Sequence, residues 1–238
     1  MDRLDERPTR VPARRLRLQL ASWVRAHGGI LLATGCLVVF LALMAGVVRG
    51  GALPIDEIAH RVVVERMRAR WLTPVMEGFS ALASPVVLIV SLMVMAAFAP
   101  GRRPGWFCAL NLGLSTVLNI LLKELVQRPR PEGFRLAVES GFSFPSGHSM
   151  AAMAFFGLIV WLIWRHEGDR RLRALLSAAF CIVILMVGVS RVYLGVHYAS
   201  DVVGGFCASI VWLVLYTRLA APVLLEGGRV TASSSDPR

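Results

Sequence analysis

A chain of 238 residues that is 56% hydrophobic is long enough for one soluble domain or for a compact bundle of membrane helices. Its formal charge of +11 raises the possibility of a nucleic-acid partner. The distribution of those charges along the chain, set out below, argues against that class.

The first 27 residues hold seven arginines and read as a flexible basic tail. An uncharged apolar run over 28–48 follows. It has no small-residue cleavage site after it, so it reads as an uncleaved anchor rather than a removed signal peptide. The next segment, from about Gly50 to Leu72, contains Pro54-Ile55-Asp56 and is expected to hold a short interfacial helix whose apolar face is interrupted by Arg66 and Arg70. Further apolar runs cover 83–99, 105–122, 149–164, 174–189 and 202–217. A span of about 17–25 apolar residues crosses the hydrocarbon layer, so the shorter runs should extend into flanks such as Ser80 or Asp201. The expected fold is therefore all-α: a polytopic membrane protein with a six-transmembrane-helix bundle over 28–220, a basic tail over 1–27 and a flexible tail over 221–238. All four cysteines fall inside predicted spans, and neither a disulfide framework nor a metal-ligand spacing is present.

With the N-terminus inside, the segments 1–27, 100–104, 165–173 and 218–238 are cytoplasmic and hold sixteen of the 26 basic residues. That bias is the positive-inside pattern of a membrane protein, and it accounts for the charge without a nucleic acid. Three polar blocks break the apolar pattern, and this topology puts all three on the outer side. They are Lys123 to Pro131, Phe144 to Ser149, and Ser190 to Asp201.

In the third block His197 and Asp201 are four positions apart at the start of a predicted helix, which places them on one face. An aspartate there can accept the imidazole Nδ1–H and leave Nε2 as the basic nitrogen, a nucleophile with an orienting partner. Taken alone, the pair also fits an aspartate stabilised by the helix dipole beside an interfacial histidine. In the second block, a helix opening at Ser146-Gly147-His148 after Pro145 offers backbone N–H groups to an anion. Gly147 permits close approach, Ser146 adds a hydroxyl donor, and His148 stands where it can protonate a leaving oxygen. An ordinary capping turn is the alternative for that block considered by itself. Lys123, Arg130 and Arg191 supply one point charge and two planar forks, suited to the equatorial oxygens of a phosphoryl group in transfer. Any one of them could also snorkel to the headgroups. Lys123 is the only lysine in the chain. Eleven fixed positions in three spaced blocks are far too many for coincidence, so it is the set that carries the chemistry.

Together the blocks resemble the signature of the type-2 phosphatidic acid phosphatase superfamily, K-x6-R-P, P-S-G-H and S-R-x5-H-x3-D, complete here at Lys123 to Pro131, Pro145 to His148 and Ser190 to Asp201. The resemblance implies a two-step mechanism without a metal or other cofactor. His197 attacks phosphorus, Asp201 holds it, His148 protonates the departing oxygen, and water then hydrolyses the phosphohistidine. Lys123, Arg130, Ser146, Gly147 and Arg191 would bind the phosphate. The spacing selects Arg130 over Arg128, which is left as an auxiliary cation or a headgroup contact. The expected substrate is a lipid phosphate met in the bilayer, such as phosphatidic acid, phosphatidylglycerol phosphate, undecaprenyl pyrophosphate or a sphingoid phosphate. The expected location is a bacterial inner membrane, with the site on the outer face. Transfer to another acceptor, and binding or transport without turnover, are the other functions these blocks admit.

Overall fold

The computed structural model describes residues 13–98, 103–133 and 135–226, with side chains over 27–97, 105–133 and 135–225. The expectations for Met1 to Pro12, for the loop at 99–102 and for the tail from Gly227 lie outside the described residues.

Every regular element among the described residues is helical. Helix α1 covers Ala13–Val48. It starts within the stretch expected to be a tail. Helix α2, Pro54–Ala59, runs on through a wider helical turn at His60–Arg66, in the segment where an interfacial helix was expected. Helices α3, Thr73–Ala81, and α4, Pro85–Phe98, are followed by α5, Arg103–Val126, and α6, Gly147–His166. Helices α7, Arg170–Tyr193, and α8, Ala199–Ala221, complete the bundle.

Among the described residues, five stretches are long and apolar enough to cross a membrane: His27–Val48, Gly105–Val126, Gly147–His166, Arg170–Tyr193 and Ala199–Leu225. The sequence predicts a second span over 83–99 reaching back toward Ser80. Instead Ser80 belongs to α3, and α3 and α4 form a pair bent by 53°. Pro85 explains the break, because it has no N–H to donate and disfavours helical geometry at Ser84. The described residues therefore hold five candidate spans, or six if the bent pair is one crossing.

Helix α6 lies at the centre, packed against α5, α7 and α8, and α1 packs on the outside of α8. In lipid, apolar side chains gain little from facing one another rather than acyl chains, so association depends on close backbone approach and buried hydrogen bonds. Both are present. Gly205 of α8 sits so near the start of α6 that a Cβ on it would come within 2.9 Å of the Ser146 carbonyl oxygen. Asn111 Nδ2 donates to the Ala154 carbonyl at 2.8 Å, Trp212 Nε1 donates to Asn111 Oδ1 at 2.9 Å, and the Tyr216 hydroxyl donates to the Phe107 carbonyl at 2.6 Å. Leu31, Leu32 and Val38 of α1, Val86 and Met93 of α4, and Leu121 and Leu125 of α5 stay exposed, as a lipid-facing surface requires.

Candidate active site

The C-terminal ends of α5 and α7 meet the N-terminal ends of α6 and α8 at one end of the bundle, and all three polar blocks converge there. Asp169 caps α7 at the other end, receiving hydrogen bonds from Arg171 N at 2.7 Å and Leu172 N at 3.3 Å, beside Arg165, Arg170 and Arg173.

His197 is 3% exposed. The sequence puts it on the same helix as Asp201, but α8 begins at Ala199, so His197 occupies the preceding loop and meets the carboxylate across the helix cap. Its Nδ1 lies 3.3 Å from Asp201 Oδ2. On the other side of the ring, Nε2 lies 3.1 Å from Arg130 Nη1. A guanidinium can only donate, so Nε2 accepts and the ring proton resides on Nδ1, facing Asp201. Burial lowers the His197 pKa to about 4, helped by Arg130 and Arg191 and opposed by Asp201, so the ring is neutral at physiological pH.

The Nδ1 side is closed and fully paired. Asp201 Oδ2 accepts from the Tyr198 amide at 2.9 Å and from the Ser143 hydroxyl, while Oδ1 accepts from Arg128 Nη1 at 2.7 Å. Ser143 Oγ also stands 3.3 Å from His197 Nδ1. The Asp201 carbonyl accepts from the Ser146 amide at 3.0 Å, docking the start of α6 on the first turn of α8.

The Nε2 side is lined with cations. Arg191, 2% exposed, donates through Nη1 to Ser80 Oγ and through Nη2 to Glu139 Oε1. Its Nε–H is buried and has no acceptor among the described residues. Arg130 donates to the carbonyls of Val196, Gly141 and Ser140 at 3.0, 3.1 and 2.9 Å. It also faces Glu139 Oε2 at 3.6 Å. His148, half-buried on the first turn of α6, has Nδ1 3.8 Å from Glu139 Oε1 and lies within electrostatic reach of His197 and Lys123. Half-buried Lys123, on the last turn of α5, lies within electrostatic reach of Arg130, Arg191 and Glu139. Burial alone would raise the Glu139 carboxyl pKa, but Arg191, His148 and Arg130 outweigh it and hold the group below its ordinary value. Among the described residues, then, three cations share one carboxylate on this side.

The structure adds to the sequence reading of two residues. Ser146 is fully buried, and its Oγ caps α6, accepting from Ser149 N at 3.4 Å and Ser149 Oγ at 2.9 Å. Arg128 is neither a headgroup contact nor a member of the cation cluster. It is 5% exposed and paired with Asp56 as well as Asp201. Sequence reasoning also missed Ser143, Glu139, Asp56 and Ser80. Ser143 lies two positions before Pro145, inside reach of a recognised block. Asp56 and Ser80 come from other helices, with no spacing to announce them.

A cavity of about 540 Å³ runs from Gly147 and His148 between α4, α5 and α6, walled by apolar residues such as Leu88, Leu92 and Leu112. A second, of about 670 Å³, lies beside His197 and Tyr198 against Asp56 and His60.

Residues 104–223 match the model of the PAP2 superfamily. The chain is 33% identical to phosphatidylglycerophosphatase B of Bacillus subtilis (strain 168), over 74% of its own length and 88% of the relative's. It is 30% identical to dolichyldiphosphatase 1 of Homo sapiens, over 59% of its length and 64% of the relative's. Among solved structures, it is similar to the transmembrane PAP2 type phosphatidylglycerolphosphate phosphatase from Bacillus subtilis, with a TM-score of 0.71 at 29% identity, covering 80% of this chain and 96% of that one.

Proposed function

Because the chain belongs to the PAP2 superfamily and is a membrane phosphatase, we propose that it hydrolyses the phosphate monoester or pyrophosphate of a lipid through a phosphohistidine on His197. The carrying observation is the orientation of the His197 ring, whose Nε2 lone pair faces the cation-lined side while Nδ1–H faces Asp201.

In the first step the Nε2 lone pair attacks the terminal phosphorus, and its bond to the leaving oxygen, the alcohol oxygen of a monoester or the bridging oxygen of a pyrophosphate, breaks as His148 delivers a proton to that oxygen. Asp201 stabilises the phosphorylated imidazolium through the Nδ1–H bond. In the second step water attacks, His148 takes the water's proton, and the phosphorus–nitrogen bond breaks to release inorganic phosphate. Lys123, Arg130 and Arg191 hold the phosphoryl oxygens with the first-turn amides at Gly147. Three cations against the single Glu139 carboxylate leave two positive charges uncompensated, the complement of a phosphate dianion. The buried Arg191 Nε–H, which lacks an acceptor among the described residues, supports the same assignment. Among the described residues no three His, Cys, Asp or Glu side chains cluster as a metal site needs.

A lipid substrate follows from the apolar cavity that shares Gly147 and His148 with the phosphate site, so that an acyl or isoprenoid tail can leave the headgroup sideways into hydrocarbon. The relatives are named for phosphatidylglycerophosphate and dolichyl diphosphate, and we take lipids of those two headgroup types as the substrate classes to test. We assign residues 28–220 to the catalytic membrane domain. The site faces the outer side of a bacterial cell membrane, because arginines 165, 170, 171, 173 and 218 gather at the opposite end of the bundle.

Purified protein in detergent, given a panel of lipid monophosphates and pyrophosphates with excess chelator, should release phosphate from at least one, and His197→Ala should release none. Chelator-sensitive release, or activity retained in the variant, would refute the proposal. Phosphorylated product on an added lipid alcohol in place of free phosphate would show transfer instead of hydrolysis.

A further inference from the structure

Arg128, inside the first polar block, and Asp56, outside all three, form a buried charged bridge that reaches the site. The Arg128 fork spans two carboxylates. Nη1 donates to Asp201 Oδ1 at 2.7 Å and Nη2 to Asp56 Oδ2 at 2.8 Å, with a third contact from Nη1 to Ser200 Oγ at 2.7 Å. Nη2 also faces the Gly51 carbonyl at 3.3 Å, and the guanidinium carbon stacks 3.9 Å above the centre of the Tyr198 ring. Asp56 closes the circuit. Its Oδ1 accepts from the Ser200 amide at 2.8 Å, and its Oδ2 accepts from the Ser200 hydroxyl at 2.9 Å and from the Leu53 amide at 2.9 Å. Asp56 and Arg128 are 4% and 5% exposed, and Ser200 and Asp201 are fully buried.

We propose that Arg128 and Asp56 are positioning residues for the phosphatase reaction: they clamp the Asp201 carboxylate and the first turn of α8 so that Oδ2 is held against His197 Nδ1–H. The inference rests on the reading of His197 as nucleophile. An aspartate with a free carboxylate can rotate about its last torsion and present either oxygen. Here Oδ1 is fixed by Arg128, which leaves Oδ2 for His197, Tyr198 N and Ser143. Ser200, one residue from Asp201, is held through both its amide and its hydroxyl by a carboxylate from α2. The clamp thus ties α2 to the catalytic cap of α8.

A phosphate-binding role does not fit. All of these donors are spent on acceptors in the protein, the group lies on the Asp201 side of the imidazole, and its two carboxylate partners already exceed its charge. Replacement by lysine should fail for a geometric reason. An ammonium is a compact point charge, whereas this site needs two donor edges about a guanidinium's width apart and a flat face for Tyr198.

The test compares Arg128→Lys, Asp56→Asn and their combination with wild type and His197→Ala, in detergent, on whichever lipid phosphate the wild type hydrolyses. Thermal unfolding is followed in parallel. Arg128→Lys should lower kcat by about 10²-fold, the order expected from a misplacement near 1 Å, with KM changed less than about threefold. Asp56→Asn should lower kcat about 10-fold, and the double variant should be no worse than Arg128→Lys, because both changes break one clamp. A raised KM with kcat preserved would make Arg128 a phosphate-binding cation, and multiplicative losses would make the two residues independent. Either result overturns the proposal. If Arg128→Lys does not accumulate in membranes, Asp56→Asn decides alone, since a kcat loss at constant KM supports the clamp and an unchanged kcat refutes it. Activity surviving in His197→Ala would instead remove the reading on which the clamp depends.

Discussion

The two sides of the His197 ring are built on opposite principles. On the Nδ1 side, Asp201, Ser143, Arg128, Ser200 and Asp56 are buried and mutually satisfied, and the charged members alternate in sign. On the Nε2 side, among the described residues, Lys123, Arg130, Arg191 and His148 gather around one carboxylate, and an Arg191 donor lacks an acceptor. A buried donor without a partner costs about 1–3 kcal/mol. The fold tolerates that cost where a ligand is to be bound and avoids it where a side chain must be held still. In the proposed mechanism the saturated side fixes the nucleophile, and the unsaturated side receives the phosphate.

This contrast can be broken experimentally. The largest effect is expected at the ring itself. His197→Gln should reduce kcat by more than about 10⁴-fold, as loss of a nucleophile does, and stopped assays of phosphate release would measure it. Next comes the saturated side, where Asp201→Asn should cost about 10³–10⁴-fold in kcat with little change in KM. An amide can reverse its orientation and donate to Nδ1, stabilising the wrong tautomer. On the receptor side Arg191→Ala should cost about 10²-fold and move KM as well, because substrate and transition state both use the fork. The smallest effect should come from Glu139→Gln. Removing the carboxylate that Arg191, Arg130 and His148 share should make inorganic phosphate a several-fold better inhibitor, since a dianion then competes with no resident anion. Weaker phosphate inhibition in that variant would place Glu139 outside the receptor.

The pH dependence separates the two sides further. Burial puts the His197 pKa at about 4, below the ordinary value near 6.5. Protonation removes the Nε2 lone pair, so a depressed pKa keeps the nucleophile available as the medium becomes acidic. Single-turnover attack at saturating substrate should therefore survive to about pH 5 and fail as the pH falls through about 4. A fall centred near 6.5 would mean that Nε2 is in contact with water.

The sequence made the receptor side legible because its cations and the two histidines lie in blocks of fixed spacing with strong physical signatures: Pro before a helix, a lone lysine, and a histidine four residues from an aspartate. It also showed the apolar spans, within a few residues of α5 to α8. The bend at Pro85 escaped because hydropathy averages over a break that backbone sterics create. The saturated side was mostly illegible. Asp56 reaches Ser200 across 144 positions and Arg128 reaches Asp201 across 73, so no local pattern joins them. Arg128 was also hidden by composition, as one of 25 arginines beside a better-spaced neighbour. Beside the phosphate-donor role expected of it, Ser146 has a second role, and for a local reason. A serine before a helix is also its natural cap, and the cap is what its oxygen forms.

The most direct test of the central claim is a rapid-quench experiment in base with a lipid monophosphate labelled at phosphorus, followed by mapping of the label. The account predicts a base-stable, acid-labile phosphoryl group on His197, formed in step with release of the lipid alcohol and before free phosphate appears. Alcohol and phosphate released together, with no label on His197 at any quench time, would contradict it.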